Sequence, residues 1–131
     1  MIKFSIIIPT YNNAKFLKET INSVLLQVYK NFEIIIIDDG STDNTTQIIN
    51  QFEDRRLRYK YVNHIGLPAS IRNIGIKLAV SDWICFLDSD DLWEKNKLLE
   101  CNKIINSKVN LIYHNMTVLD SQSLKVKKNR K

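Results

Sequence analysis

Glycine is scarce here: three residues in a chain of 131. Gly40, Gly66 and Gly75 stand too far apart for a GxGxxG or GxxxxGK[ST] loop. That excludes the backbone cradles of dinucleotide oxidoreductases and P-loop nucleotidases. The two cysteines, Cys85 and Cys101, form no CxxC pair, and neither has a histidine at ligand spacing, so a zinc site is excluded and both read as reduced structural thiols. No apolar run approaches the ~20 residues of a membrane span. The stretch Ile6-Ile7-Ile8 is too short for a signal peptide and is stopped by Pro9. These absences lead us to expect a cytoplasmic protein, with a peripheral position at the inner face of the membrane left open. His64 and His114 have no neighbouring acid or nucleophile that would make a catalytic pair, and read as packing residues.

What is present describes one soluble domain with a sizeable core, expected over residues 1–120 and followed by a basic tail over 121–131. The net charge of +5 suggests nucleic acid, but its location argues against it. Lys125, Lys127, Lys128, Arg130 and Lys131 account for the whole excess. A basic tail is not a groove lined with cations and aromatics, so no nucleic-acid partner is expected. The tail reads as a solvated end or a weak anchor for anionic lipid.

Apolar runs alternate with amphipathic segments along the chain. Lys3–Ile8 reads as a strand ended by Pro9, which cannot continue a central ladder. Helical periodicity follows over 14–28, with Asn12 or Asn13 as its cap. Phe32–Ile37 is a second buried strand, emptying into Asp38-Asp39-Gly40-Ser41-Thr42-Asp43, where Ser41, Thr42 or Asp43 caps a helix through Phe52. Leu57–Val62 is a more exposed strand, and Pro68 opens a helix through Ala79. A fourth strand runs to Leu87, a helix spans Leu92 to about Ile105, and a fifth strand begins at Leu111. This order predicts an α/β fold, a mainly parallel, doubly wound sheet with helices on both faces.

The organising stretch is Trp83-Ile84-Cys85-Phe86-Leu87-Asp88-Ser89-Asp90-Asp91. Its unbroken apolar run reads as a strand buried on both faces in the middle of the sheet. Its acids then fall at the carboxyl end, where open α/β sheets put their ligands. On an extended chain Asp88 and Asp90 project to one side, two hard donors suited to Mg²⁺ or Mn²⁺. The alternative is helix capping, since Asp91-x-x-Glu94 has capping-box spacing. Capping needs one acid and leaves Asp88 unexplained.

Four segments together resemble family 2 glycosyltransferases of the GT-A fold. They are Ile6-Ile7-Ile8-Pro9-Thr10-Tyr11-Asn12, Asp38-Asp39-Gly40-Ser41-Thr42-Asp43, Gly66-Leu67 with Ala69-Ser70-Ile71-Arg72-Asn73, and Phe86-Leu87-Asp88-Ser89-Asp90-Asp91 with its DxD pattern. The resemblance implies a nucleotide-diphospho-sugar donor, a UDP-sugar before others, and a glycan or lipid-linked acceptor in surface polysaccharide or lipopolysaccharide synthesis. It implies that Pro9, Thr10 and Tyr11 border the nucleotide, with Tyr11 stacked on the base. Asp39 would hydrogen-bond the base, with Asp38 structural. Arg72 would approach the diphosphate, Asp88 the ribose or a metal-bound water, and Asp90 would ligate Mn²⁺ or Mg²⁺ with Asp88 beside it. Each role has a plainer counterpart: Tyr11 packing over the helix start, Asp39 bracing an Asp-Gly turn, Arg72 solvated on its helix. Asp91 is left to capping.

The resemblance ends near residue 120, and no residue matches the family's general base. Glu94, Glu100 and Asp120 are not assigned that role. The expectation is therefore a C-terminally truncated donor half that binds but does not transfer efficiently, and that self-associates through an exposed apolar edge. A non-catalytic nucleotide-sugar-binding module is the alternative. A Mg²⁺-binding receiver-like signalling domain ranks below it, because the third strand ends in Val62-Asn63 where such a domain needs an aspartate.

Overall fold

The computed structural model describes residues 3–119 and 126–130. Four parallel strands, β1 (Phe4–Thr10), β2 (Phe32–Asp38), β3 (Leu57–Tyr61) and β4 (Trp83–Phe86), form one sheet in the order β3-β2-β1-β4. Between and after them lie α1 (Ala14–Leu25), α2 (Thr45–Ile49), α3 (Pro68–Leu78) and α4 (Lys97–Ile104). A separate antiparallel pair joins β5 (Met116–Leu119) to β6 (Val126–Arg130). Among the described residues no helix is long and apolar enough to cross a membrane.

The two-residue period of the strands sorts their side chains onto two covered faces. Phe4, Ile6 and Ile8 with Phe32, Ile34 and Ile36 pack with Leu17, Ile21 and Val24 of α1, Ile49 of α2 and Leu98 of α4. Ile35 and Ile37 pack on the opposite side with Ile71 and its neighbours Ile74 and Leu78 on α3. Full burial of each such side chain contributes about 1.5–3 kcal/mol, so the two central strands carry the core. Helix α3 comes so close to β1 that a Cβ on Gly75 would lie 2.5 Å from the buried Ile7 Cγ2. The doubly wound parallel sheet expected from the alternation is what forms.

Several boundaries differ from the expectations. β1 does not stop before Pro9: Pro9 pairs in register with Ile37 and Thr10 with Asp38. The β1–β4 ladder has already ended at Ile7 and Phe86, and Pro9 lies on the same alternation as Ile7, whose carbonyl accepts from Leu87 N–H at 3.0 Å. Its missing N–H therefore faces a side without a strand, where proline does no harm. β4 is not central. It is an edge of the sheet among the described residues, and Phe86 at its end is 47% exposed.

The fifth strand is not part of this sheet either. Residues 111–115 have no strand structure, Leu111 and Tyr113 are exposed, and β5 pairs only with β6. Part of the basic tail thus lies in a strand, while Lys125 and Lys131 lie outside the described residues, as does Asp120.

At the amino end of the sheet a buried carboxylate ties three strands to the end of α3. Glu33 accepts from Ser5 Oγ, from Arg58 Nη1 at 3.1 Å and from Val80 N–H at 2.9 Å. Burial pushes the Glu33 carboxyl up, but these donors outweigh it and hold it below its usual range. Asp54, hydrogen-bonded by Arg56, is held down at about 2. Both values are depressed, so the stabilisation is fully present above the unfolded-state values near about 4 and is lost as pH falls through the folded values. Thermal midpoints should be flat above about pH 5 and fall below about pH 4, and Glu33→Gln should show a smaller drop over that acid range than the parent chain. An equal drop in the variant would remove Glu33 from this role.

Candidate functional site

Four loops meet at the carboxyl ends of the strands: 10–13 after β1, 38–44 after β2, 62–67 after β3 and 87–96 after β4. Their mutual bonds, more than local capping, define the site. Asn12 holds a left-handed backbone with φ 48°, a conformation asparagine tolerates better than most residues. Its Oδ1 accepts from Thr42 N–H at 2.7 Å, and its own N–H donates to Ser41 Oγ at 2.9 Å. Asp43 joins two helix starts: Oδ2 accepts from Ala14 N–H at 3.1 Å, Oδ1 from Thr45 N–H at 3.1 Å and from the Thr45 hydroxyl. A carboxylate there meets the positive ends of both helices. Burial works against its charge, but the donated hydrogen bonds hold its carboxyl below the ordinary range. Asp43 thus serves the start of α2, as the sequence offered, and takes over the start of α1 from Asn12 or Asn13; Asn13 and Asn44, the residues at the cap positions, make no side-chain cap bond.

Asp38 and Asp39 part company at the end of β2. Asp38 is fully buried, accepting from Ser41 N–H at 2.9 Å and from Tyr59 OH at 2.7 Å. Burial above all, with Asp38 alongside, pushes the Tyr59 phenol up to about 12, so it stays a donor. The Asp39 carboxylate accepts from Ile65 N–H at 2.6 Å and Gly66 N–H at 2.9 Å, and His64 Nδ1 lies 3.1 Å from Oδ2. Asp39 thus fixes the 64–66 loop, and His64 stacks on Tyr11 with ring centroids 4.3 Å apart. The packing role expected of His64 is therefore specific: it backs the exposed Tyr11 ring. Thr10 Oγ1 is buried with no hydrogen-bond partner among the described residues.

The acidic stretch is a turn, not an extended strand end. Asp91 N–H donates to Asp88 O at 3.0 Å, so the alternation argument for Asp88 and Asp90 does not apply. Both are exposed, as is Asp91. Asp88 Oδ1 accepts from Arg72 Nη2 at 2.8 Å, joining the first turns of α3 to the turn after β4. Burial above all, with the neighbouring Asp90 and Asp88, pushes the Asp91 carboxyl up.

Asp91 is also not a helix cap. α4 starts at Lys97, because residues 92–96 spend their backbone groups on α1. Trp93 N–H donates to Ser23 Oγ at 3.2 Å, Gln27 Nε2 donates to Glu94 O at 2.7 Å, and Gln27 Oε1 accepts from Leu98 N–H at 3.0 Å. The polar residues Thr20 and Ser23 on α1 and Gln27 just past its end were missed as functional. Their signal was a Thr and a Gln at helical spacing beside the apolar stripe.

Among the described residues no three His, Cys, Asp or Glu side chains form a ready metal cluster. Two carboxylates on a solvent-open turn do fit a hard cation that takes its other ligands from phosphate and water. Asp88 keeps one oxygen free of Arg72 for it.

Residues 5–127 match the family described as Glycosyl transferase family 2. The chain belongs to that family, as its N-terminal part, and carries the GT-A fold. An uncharacterized glycosyltransferase of Rickettsia felis is 50% identical over 97 residues, which is 73% of this chain and 16% of the relative. WfgD of Escherichia coli, a UDP-Glc:alpha-D-GlcNAc-diphosphoundecaprenol beta-1,3-glucosyltransferase, is 35% identical over 121 residues, 92% of this chain and 48% of the relative. Staphylococcus aureus TarS 1-349 in complex with UDP-GlcNAc superposes with a TM-score of 0.74 at 35% identity, over 78% of this chain and 30% of that one. The chain therefore spans about half or less of the length of these relatives.

The loop packing yields a direct test. Gly40 has φ 77°, and a Cβ there would meet the His64 backbone nitrogen at 2.8 Å. Gly40→Ala should destabilise the chain by about 1–3 kcal/mol and shift the Tyr11 and His64 ring resonances together. An unchanged denaturation midpoint would show that the two loops are not held against each other here.

Proposed function

We propose that this chain binds the donor of an inverting glycosyl transfer, a nucleotide-diphospho-sugar and specifically a UDP-sugar, with a lipid-linked or glycan acceptor. The observation that carries the reading is the Arg72–Asp88 pair at 2.8 Å beside Asp90, on an open turn at the carboxyl edge of the parallel sheet. The likeness to WfgD and to TarS, one named for UDP-Glc and the other seen with UDP-GlcNAc, supports UDP as the carrier. The same chemistry would place the protein in the cytoplasm at the inner face of the membrane, where the basic tail would meet anionic lipid.

Tyr11 offers its exposed ring to the base, with His64 behind it. Thr10 Oγ1, unpartnered in its buried position, has a donor and an acceptor to give a ligand or a water. Pro9 stiffens the approach to both. Asp39 contributes to base recognition through its carboxylate or through the 64–66 loop that it holds. Arg72 turns toward the diphosphate and Asp88 toward the ribose or a bound water. Asp90, with Asp88, holds Mn²⁺ or Mg²⁺, which supplies Lewis-acid stabilisation to the departing diphosphate. An arginine and a cation at one turn also offset the mutual repulsion of Asp88, Asp90 and Asp91. No residue of this chain is assigned as the general base.

Two measurements check this. Calorimetry of UDP with Mn²⁺ should show strong metal dependence in the parent chain and none in Asp90→Asn, with the fold unchanged; retained metal dependence in that variant would sink the assignment. Tyr11→Ala should weaken UDP and a UDP-sugar by the same factor, roughly 5- to 150-fold for a lost stack of about 1–3 kcal/mol. A variant that spares UDP and harms only the UDP-sugar would move Tyr11 to the sugar.

A further inference from the structure

Thr20 is an unexpected residue for its position. It sits in the interior of α1, a β-branched polar side chain with no exposed surface, where neither helix propensity nor core packing favours a hydroxyl. Its Oγ1 lies 2.8 Å from Asp91 O and 3.0 Å from Ser89 O, closer than the 3.3 Å to Phe16 O one turn back in its own helix. The two nearer carbonyls belong to the residues before and after Asp90. About two turns earlier, Asn13 Nδ2 donates to Ser89 Oγ at 2.8 Å, although Asn13 at its cap position makes no cap bond. Farther along, Ser23 Oγ and Gln27 hold residues 93, 94 and 98.

We infer that Thr20, backed by Asn13, is the positioning residue of the Asp88–Asp90 turn. Its hydroxyl holds the peptide group before Asp90 and the one that follows Asp91, so the Asp90–Asp91 segment between them is presented at a set angle before any ligand arrives. The inference rests on the proposed metal role of Asp90 and deepens it. The physical need is clear. Asp90 sits on a solvent-open turn at a sheet edge, outside any ladder, and nothing local holds it except the Asp91 N–H bond to Asp88 O at 3.0 Å. Repulsion among Asp88, Asp90 and Asp91 would open such a turn. A buried hydroxyl whose one proton is shared between Ser89 O and Asp91 O resists that opening without adding charge. Thr20 touches no proposed ligand atom and acts only through the backbone.

The test compares Thr20→Val, which keeps the shape and removes the donor, with Thr20→Ser, which keeps the donor. UDP titrations with and without Mn²⁺ report the metal-dependent gain in affinity, and uridine, which has no phosphate, reports base and ribose binding alone. Thr20→Val should lose about 10- to 100-fold of the Mn²⁺-dependent gain, the usual effect of removing a partner behind a metal ligand. Thr20→Ser should keep it, and uridine should bind all three chains equally. A folded Thr20→Val that keeps the full gain, or one that loses uridine to the same extent, overturns the inference. If Thr20→Val does not fold, Asn13→Ala decides: a partial loss of the Mn²⁺-dependent gain supports the inference, and an unchanged gain overturns it. If the parent chain shows no Mn²⁺ effect on UDP, the metal reading itself fails. Amide exchange at Asp91 then judges the clamp, with faster exchange in Thr20→Val but not Thr20→Ser expected and equal exchange contradicting it.

Discussion

The structure depends on the unequal pairing of β1. On one side it runs beside β2 in unbroken register from Phe4 with Phe32 to Thr10 with Asp38. On the other, β4 leaves it at Ile7 with Phe86. The long ladder delivers the loops after β1 and β2 to the same height, where Asp39 N–H bonds Thr10 O at 2.9 Å. The short one releases the chain early, so Asp88–Asp91 folds into a turn over the start of α1 instead of extending the sheet. Were β4 two residues longer, its ladder would reach Pro9, which has no N–H to offer, and the acidic turn could not sit where it does.

With the strands set, polar side chains do the joining at the carboxyl edge. Asn12, Asn13, Thr20, Gln27, Asp39 and Asp43 each spend at least one hydrogen bond on a segment distant in sequence. Thr20, Gln27 and Asp39 are buried, and buried polar groups are stabilising only when they are satisfied, so their replacement should open the loops before it unfolds the core. The groups left for a ligand are a different set: the Tyr11 ring, one oxygen of Asp88, and Asp90. Rigid, satisfied residues thus lie behind open, chemically equipped ones, the division a binding site for a charged ligand requires.

The four strands of the sheet, three of the helices and the acid-bearing loops were legible in the sequence, because period and turn chemistry act locally. Ile34–Ile37 can only be a buried strand, and Ala14, Leu17, Ile21 and Val24 only one helical face. What was not legible depends on partners far away in the chain. Asp91-x-x-Glu94 has the spacing of a helix start, yet Ser23 and Gln27 take that backbone and delay α4 to Lys97. Trp83–Leu87 reads as a central strand because apolar runs record burial and not neighbours, and β4 stands at an edge. His64 looked inert for want of an acid beside it in sequence; Asp39 supplies one across 25 residues.

The central claim is that a nucleoside diphosphate and a divalent cation meet at this edge, the cation on Asp88 and Asp90 and the base on Tyr11. Substoichiometric Mn²⁺ added with UDP to isotope-labelled chain tests it directly, since the paramagnetic ion broadens amide signals around its own position. The account predicts broadening confined to residues 87–92 and the start of α3 near Arg72, with UDP-induced shifts, seen with Mg²⁺ instead, at residues 10–12 and 64–66. Broadening centred on another carboxylate, such as Glu33 or Asp54, or base-induced shifts away from Tyr11 would contradict it.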